Sequence, residues 1–206
     1  RDVAHTLERY VEAIVARVFD DSLLEDLAAA ASIPVINALS DTEHPCEALA
    51  DVMALGEHLG DLRGRQLVYL GDGNNVAASL LLAGASVGLH VRVISPAGYE
   101  PDPGVVDRAR VIARGTGSRI ELAADPVVGV VGADAVYTDV WASMGQEAEA
   151  DERALVFPAY ALDAEKVAVA KPDVTVMHCL PAHRGQEIAD EVIDGPHSVV
   201  WDQAEN

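Results

Sequence analysis

Apolar and polar positions follow two different rhythms along the chain, and the change falls near residue 61. Before it, three segments with apolar residues at helical spacing are separated by two short apolar runs, which predict strands. The predicted helices cover residues 3–11, 22–31 and 44–59, and the predicted strands cover 13–19 and 34–37. Pro45 suits the first turn of the third helix, because an N–H at that position would have no helical partner.

After a linker at residues 61–64, short apolar runs alternate with helical segments to the end of the chain. The predicted strands cover 66–70, 90–95, 119–123, 135–138, 174–179 and 198–201, and the predicted helices cover 76–85, 105–116, 163–170 and 186–193. Such alternation through short connections is typical of a doubly wound parallel sheet. We therefore predict an α/β fold, with a doubly wound parallel sheet in residues 61–206 preceded by part of a second α/β lobe in residues 1–60. The acidic run at 146–152 predicts a solvated surface loop.

The chain is acidic, with 34 Asp and Glu against 14 Lys and Arg and a formal net charge of −20. Nucleic acids and anionic membrane surfaces bind basic surfaces, so this charge argues against both as partners. Because 50% of the 206 residues are hydrophobic, the chain can bury a substantial core. No run is long and apolar enough to cross a bilayer and no secretory signal is visible, so we expect a cytoplasmic protein.

The two cysteines, Cys46 and Cys179, each lie inside a motif with other polar residues. A disulfide between them is one interpretation, but isolated thiols in a reducing compartment fit better. His178 and Cys179 are neighbours on a predicted strand and would point to opposite faces, so they do not form a metal-binding pair. Since no other spacing typical of metal ligands occurs, we predict neither a metal nor a cofactor.

Three polar clusters stand at predicted strand-to-helix junctions. They read His-Pro-Cys-Glu at 44–47, Asp-Val-Trp-Ala-Ser-Met-Gly at 139–145 and His-Cys-Leu-Pro at 178–181. Ligands of open α/β sheets bind outside the carboxyl ends of the strands. We therefore expect the three clusters to contribute to a single site.

A fourth segment, Gly-Asp-Gly-Asn-Asn at 71–75, follows a predicted strand and opens a helix. A dinucleotide fingerprint would need a third glycine where Val76 stands, and an acidic residue where the next strand ends in Ile-Ser-Pro. A nicotinamide-dependent dehydrogenase is therefore the weakest interpretation. Asn74 or Asn75 could cap the helix, or could bind a small carboxylate together with the N–H groups of the helix.

Four residues each allow a structural and a functional interpretation. Arg17 interrupts an apolar strand, where a guanidinium either emerges at the strand end or meets an anion, and we favour the anion. His44 is either an ordinary residue at a helix start or a group that points into a cleft. Asp139 either caps a helix or holds an ammonium group, and Cys179 is either a plain buried thiol or part of the site.

Taken in order, these motifs resemble the aspartate/ornithine carbamoyltransferase family over essentially the whole chain, and Ser-Met-Gly with His-Cys-Leu-Pro resembles its ornithine branch. The resemblance implies transfer of a carbamoyl group from carbamoyl phosphate to the δ-amine of L-ornithine, giving citrulline and phosphate in arginine metabolism. It also implies a carbamoyl-phosphate-binding lobe with an interdomain helix in residues 1–60, a Rossmann-like ornithine-binding lobe in 61–206, and a homo-oligomer built from trimers.

The same resemblance implies roles for single residues. It places Arg17, His44, Asp139 and Cys179 in catalysis. Carbamoyl phosphate would contact Arg17, His44, Glu47, Cys179 and Leu180, and ornithine would contact Asn75, Asp139, Ser143 and Met144.

The chain departs from the family pattern in three places. The family's Ser-Thr-Arg-Thr segment, which grips phosphate, would lie upstream of Arg1, and an arginine usual in the family would follow Asn206. We therefore expect these 206 residues on their own to be inactive. The third departure is Glu47, which stands where the family carries glutamine. The carboxyl group of Glu47 would repel a phosphate unless it is protonated or paired with a cation.

Two further interpretations stay open beside ornithine carbamoyl transfer. The chain could serve a carbamoyltransferase that acts on a different amine. It could also belong to a catalytically silent paralogue that binds ornithine or a protein partner, for which Glu47 and the segments outside this chain are the support.

Overall fold

Residues 1–143 and 146–206 are described by the computed structural model, in which they form two parallel sheets with helices around them. The first part of the chain contains helix α1 (Asp2–Leu7), strand β1 (Ile14–Arg17), helix α2 (Asp21–Ala30), strand β2 (Val35–Leu39) and helix α3 (Pro45–Leu59). Strands β1 and β2 pair in parallel, and their register shifts between Ala16 and Arg17. Arg17 therefore ends β1, beside the loop that leads into α3.

The second part alternates strands and helices as predicted. It contains β3 (Gln66–Leu70), α4 (Asn75–Val87), β4 (His90–Ile94), α5 (Pro103–Thr116), β5 (Ile120–Ala123), β6 (Ala135–Thr138), α6 (Ala150–Val156), α7 (Ala164–Val169), β7 (Thr175–His178), α8 (Asp190–Ile193) and α9 (Val200–Glu205). The strand order is β5-β4-β3-β6-β7, and every neighbouring pair is parallel. The predicted α/β fold with a doubly wound parallel sheet is confirmed.

The strand order creates a crevice between β3 and β6. From β3 the chain proceeds to β4 on one side, and β6 pairs with the other side of β3. At such a switch point the connections leave in opposite directions, which opens a space above the carboxyl ends of the two strands. The residues that follow β3 and β6 are therefore placed at its rim.

The turn from β3 into α4 is held by a close approach and a cap. A Cβ at Gly73 would lie 2.1 Å from the backbone nitrogen of Pro101, so a residue with a side chain does not fit there. Asn74 caps α4, because its side-chain oxygen accepts from the N–H groups of Val76 and Ala77, both at 3.1 Å. These two residues fix where the helix begins relative to the sheet.

The core lies on both faces of the main sheet. Tyr69 and Tyr137 are fully buried on neighbouring strands, with ring centroids 5.8 Å apart. On the same face lie side chains from α4 and α5, whereas Val68 and Val136 face a second cluster that includes residues of α8 and α9. A strand that is buried on both faces is apolar throughout, which explains why β3 and β6 were predicted with their observed bounds.

Three predictions about secondary structure are wrong. The predicted strand at 198–201 is instead the start of α9, and Ser198 makes only an isolated bridge to Val176. The predicted helix at 186–193 is helical only over Asp190–Ile193. The acidic run predicted as a loop is helical, with a 3₁₀ turn at Glu147–Glu149 followed by α6. The strand at 198–201 was wrong because short apolar runs do not distinguish strands from buried helices. The acidic run was wrong because it is anchored by the buried Arg153, which follows it in the chain.

Candidate active site

A cleft of about 830 Å³ lies at the carboxyl ends of β1, β3, β6 and β7, beside the first turns of α3 and α4. Eight of the nine predicted site residues line it: Arg17, His44, Glu47, Asn75, Asp139, Ser143, Cys179 and Leu180. The ninth, Met144, lies outside the described residues. The cleft is also lined by residues without a predicted role, which include Asp41, Asn74, Gln146 and Pro181.

Asp139 is the centre of the polar contacts in the cleft. Its carboxylate is 5% exposed, and its Oδ1 accepts from the Val140 N–H at 2.7 Å and from the Cys179 thiol at 2.9 Å. Its Oδ2 accepts from the side-chain amide of Asn74 at 2.8 Å. Three donors from three segments thus hold one buried carboxylate, which makes it suitable for binding a cationic group.

The two asparagines that open α4 have different contacts. Asn74 donates to Asp139 and also to the Ser143 hydroxyl at 3.2 Å, in addition to capping the helix. Asn75 donates to the backbone carbonyl of Ser40 at 2.7 Å, and so joins α4 to the loop before α3. The sequence suggested that Asn74 or Asn75 caps the helix or binds a small carboxylate, whereas the bond from Asn74 to Asp139 depends on a strand end that lies 65 residues away.

Cys179 is held as a neutral thiol. Burial, and then the nearby carboxylate of Asp139, raise the pKa of this thiol well above its ordinary value. The thiol therefore keeps its proton and donates a hydrogen bond to Asp139. Because the thiolate is the reactive form, this environment does not suit a covalent nucleophile. No disulfide joins the two cysteines, and Cys46 is exposed.

His44 precedes the first turn of α3 and faces the cleft. Its backbone N–H donates to the Ser79 hydroxyl at 2.7 Å. Burial, and then the positive charge of Arg17, lower the pKa of the imidazole, so the ring is neutral near pH 7. Its buried Nδ1 has no hydrogen-bond partner within the described part of the chain. A neutral ring with one polar atom unsatisfied can hydrogen-bond a ligand without repelling a cation.

Glu47 lies one turn after His44, with Oε2 4.0 Å from the His44 Nε2. Burial, and then the charge of Asp139, raise the pKa of this carboxyl above its ordinary value of 4.5, although His178 acts in the opposite direction. Among the alternatives for the unusual glutamate, this environment favours the protonated one. A protonated carboxyl both donates and accepts, as the amide of a glutamine does.

A second buried carboxyl, Asp51, lies one turn further along α3. Its Oδ1 accepts from the Gln203 side chain at 2.6 Å and from the Tyr137 hydroxyl at 3.4 Å. Burial, and then the charge of Glu47, raise its pKa well above the ordinary value. Gln203 also accepts from the His178 N–H at 3.0 Å, so this cluster ties α3 and α9 to the end of β7.

These contacts predict how Asp51 affects stability at different pH. A carboxyl whose pKa is raised by folding stabilises the folded state fully at pH values below the pKa of the unfolded chain. This contribution is lost as pH rises through the pKa of the folded state. The Asp51→Asn variant keeps the acceptor oxygen but cannot ionise. We therefore expect its free energy of unfolding to exceed that of the parent by an amount that grows with pH, up to roughly 1–3 kcal/mol.

Urea unfolding at about pH 5 and pH 8.5, on either side of neutrality, tests this expectation. The exposed Asp26→Asn change on α2 is the matched control and should show no such trend. An Asp51→Asn difference that is equal at both pH values would contradict the assignment of a raised pKa.

The loop after β6 is anchored by a residue that the sequence did not single out. Arg153 on α6 is 4% exposed, and its Nη1 donates to Asp72 Oδ2 and to the Trp141 carbonyl, both at 2.7 Å. Its guanidinium also lies 4.9 Å from the centroid of the Tyr99 ring. Arg153 thereby ties the loop that carries Ser143 to the turn after β3.

The charge of the cleft suits a ligand with a cationic end. Asp41 and Asp139 line it together with Glu47, whose pKa is raised, whereas Arg17 is the one Arg or Lys among the described lining residues. No three His, Cys, Asp or Glu side chains within 1–143 and 146–206 converge as a metal ion would need. Over the same residues, no helix is both long and apolar enough to cross a bilayer.

Comparison with known proteins covers both parts of the chain. Residues 63–206 match the family model of the aspartate/ornithine carbamoyltransferase Asp/Orn binding domain, and residues 1–57 match that of the carbamoyl-P binding domain. The anabolic ornithine carbamoyltransferase of Pyrococcus furiosus is 56% identical over 205 residues, which are 100% of this chain and 65% of that relative.

Solved structures agree with these sequence matches. The ornithine carbamoyltransferase of Pyrococcus furiosus superposes with a TM-score of 0.95 over 99% of this chain and 65% of the other, at 56% identity. An acetylornithine transcarbamylase complexed with acetylcitrulline gives a TM-score of 0.89 at 30% identity, over 99% of this chain and 67% of the other. The chain belongs to the aspartate/ornithine carbamoyltransferase family.

Proposed function

We propose that the full-length protein transfers the carbamoyl group of carbamoyl phosphate to the δ-amine of L-ornithine, giving citrulline and phosphate. The observation that carries this proposal is the cleft, in which a buried carboxylate with three donors lies among the same residues as Arg17 and His44. Because the chain spans 65% of the length of the relative from Pyrococcus furiosus, the activity belongs to the longer protein.

On the donor side, Arg17 and His44 bind carbamoyl phosphate and polarise its carbonyl. Fixed donors that face the carbonyl oxygen stabilise the negative charge that grows there during attack. A neutral His44 can donate one N–H, and its position at the start of α3 is fixed through Ser79. The Leu180 carbonyl accepts from the carbamoyl NH₂, and Glu47, whose pKa is raised by burial, contacts the same group.

On the acceptor side, Asp139 and Ser143 hold the α-ammonium of ornithine. The α-carboxylate binds Asn75 at the N-terminus of α4, where helix N–H groups favour an anion, together with the backbone N–H of Met144. Cys179 lies beside the δ-amine as a neutral thiol. A buried carboxylate favours a charged ammonium over an acetylated amine, which is why we propose ornithine and not N-acetylornithine as the substrate.

The reaction needs orientation more than covalent catalysis. The δ-nitrogen attacks the carbamoyl carbon, a C–N bond forms, the C–O bond to phosphate breaks, and the nitrogen loses a proton. Phosphate is already a good leaving group, so the protein contributes by holding both substrates at reacting distance. Competition experiments with ornithine, N-acetylornithine and other amines test the assignment, and a preference for any amine without an α-ammonium would contradict it.

The proposed mechanism predicts a dependence of rate on pH. The δ-amine attacks only when it is neutral, so we expect kcat to rise with pH through an ionisation in the enzyme–substrate complex, between about pH 6 and 9. Burial and the charge of Arg17 lower the pKa of His44, which moves its own ionisation toward the acidic end of this range or below it. Steady-state rates at saturating substrates measure this, and a kcat that stays constant over the range would contradict the mechanism.

We also propose a cellular setting and an assembly. Residues 1–60 form part of the carbamoyl phosphate lobe and residues 61–206 form the ornithine lobe of a cytoplasmic homo-oligomer, a trimer or a multiple of trimers, in arginine biosynthesis. The family resemblance and the free thiols of Cys46 and Cys179 support this setting. The molar mass of the full-length protein in light scattering tests the assembly.

A further inference from the structure

At the end of β7, His178 and Glu187 form a buried hydrogen-bonded pair next to the residues of the cleft. His178 is 1% exposed and Glu187 is 0% exposed, and the distance from His178 Nε2 to Glu187 Oε1 is 3.1 Å. The same Oε1 accepts from the backbone N–H of His183 at 2.5 Å. The imidazole of His183, which is 56% exposed, lies 3.8 Å from the other oxygen of Glu187.

The other ring nitrogen of His178 determines which tautomer is present. Its Nδ1 accepts from the backbone N–H of Leu180 at 2.8 Å. A ring nitrogen that accepts carries no proton, so the proton of the neutral ring is on Nε2 and is donated to Glu187. The hydrogen bond at one ring nitrogen therefore fixes the state of the other, and Glu187 keeps Nδ1 available as an acceptor.

Leu180 depends on this acceptor for its backbone conformation. Its φ is 55°, and within the described residues no other non-glycine residue has a positive φ. Such a conformation costs roughly 1–3 kcal/mol and persists only where surrounding contacts hold it. The bond from the Leu180 N–H fixes the peptide between Cys179 and Leu180, which follows the residue that carries the Cys179 thiol and precedes the peptide that carries the Leu180 carbonyl.

We propose that Glu187 is a positioning residue for carbamoyl transfer, which acts through His178 on the backbone of Leu180. This inference rests on the proposed function, in which the Leu180 carbonyl accepts from the carbamoyl NH₂. Glu187 does not line the cleft, whereas Leu180 does. By holding the Nε2–H tautomer, Glu187 keeps the Leu180 N–H bonded to His178, and this bond holds the positive φ of Leu180, from which the carbonyl on the next peptide is directed toward the substrate.

The test compares Glu187→Ala with Glu187→Gln in the full-length protein labelled with ¹⁵N-histidine. The glutamine oxygen still accepts from the His178 Nε2–H, whereas alanine leaves that donor unpaired. We expect NMR to show the Nε2–H tautomer of His178 in the parent and in Glu187→Gln, and its loss in Glu187→Ala. We also expect kcat/KM for carbamoyl phosphate to fall roughly 100-fold in Glu187→Ala, the size of effect that a 1 Å misplacement produces, and to be largely retained in Glu187→Gln.

Glu191→Ala, on the exposed side of α8, is the matched control and should change neither measurement. Persistence of the Nε2–H tautomer in Glu187→Ala, or an equal loss of kcat/KM in both Glu187 variants, would overturn the proposal. If Glu187→Ala does not fold, His178→Asn and His178→Leu replace it. The asparagine oxygen can still accept from the Leu180 N–H, so equal activity of these two variants would also overturn it.

The two proposals fail in different ways. An unmodified full-length protein that forms no citrulline contradicts the proposed function, whatever the state of His178. The tautomer measurement does not require turnover, so it reports on Glu187 separately.

Discussion

Replacing Asp139 by asparagine is expected to lower kcat/KM for ornithine by roughly 30- to 4000-fold, which corresponds to about 2–5 kcal/mol for truncating one partner of a buried charge pair. The variant loses the charge that would bind the α-ammonium. It also replaces one accepting oxygen by an NH₂ group, which must then face a donor, either the Asn74 amide or the Cys179 thiol. The effect should therefore exceed that of removing a single hydrogen bond.

The same change has a second consequence, at Cys179. The carboxylate of Asp139 helps to raise the pKa of this thiol, so its removal should lower that pKa and speed the reaction of Cys179 with iodoacetamide. Peptide mass mapping separates this reaction from that of the exposed Cys46. The exposed Asp151→Asn change on α6 is the control. Unchanged kcat/KM in a folded Asp139→Asn variant would remove the ammonium-binding role.

Replacing Glu47 by glutamine is expected to lower KM for carbamoyl phosphate at high pH and to change it little at low pH. The raised pKa of Glu47 means that the carboxyl is neutral below the folded pKa and ionised above it. An ionised carboxylate about 5 Å from a phosphate charge costs about 3 kcal/mol at an effective dielectric constant near 20, or more than 100-fold in affinity. Glutamine removes this cost at every pH.

The measurement is KM for carbamoyl phosphate as a function of pH in both proteins. In the parent it should rise with pH through the Glu47 ionisation, and in Glu47→Gln this rise should be absent. Glu57→Gln, at an exposed position of the same helix, should follow the parent. Identical pH profiles for the parent and Glu47→Gln would mean that Glu47 does not face the phosphate.

The main sheet could be predicted from the sequence because each of its strands is recognisable from its own run of apolar residues. Strands β3 and β6 are buried on both faces, so their apolar runs have sharp ends at Asp72 and Asp139. Eight of the nine predicted residues meet in one cleft for a related reason, since they lie at or after the carboxyl ends of parallel strands.

The remaining parts of the site depend on contacts between distant segments. Gln203 reaches Asp51 across 152 residues, and Arg153 reaches Asp72 across 81 residues, so neither pairing has a local pattern. Glu187 lies within the segment 186–193 that was predicted as a helix, but it precedes α8 and its side chain is buried against His178. A buried charged residue has no signature in hydrophobic periodicity, because the pattern assigns polar residues to the surface.

Citrulline formation by the full-length protein is the decisive measurement for the proposed function. With carbamoyl phosphate and L-ornithine, we predict that citrulline and phosphate appear in equal amounts, and that Asp139→Asn reduces both together. Binding of ornithine without formation of citrulline would rule out carbamoyl transfer to ornithine and would identify a catalytically silent member of the family.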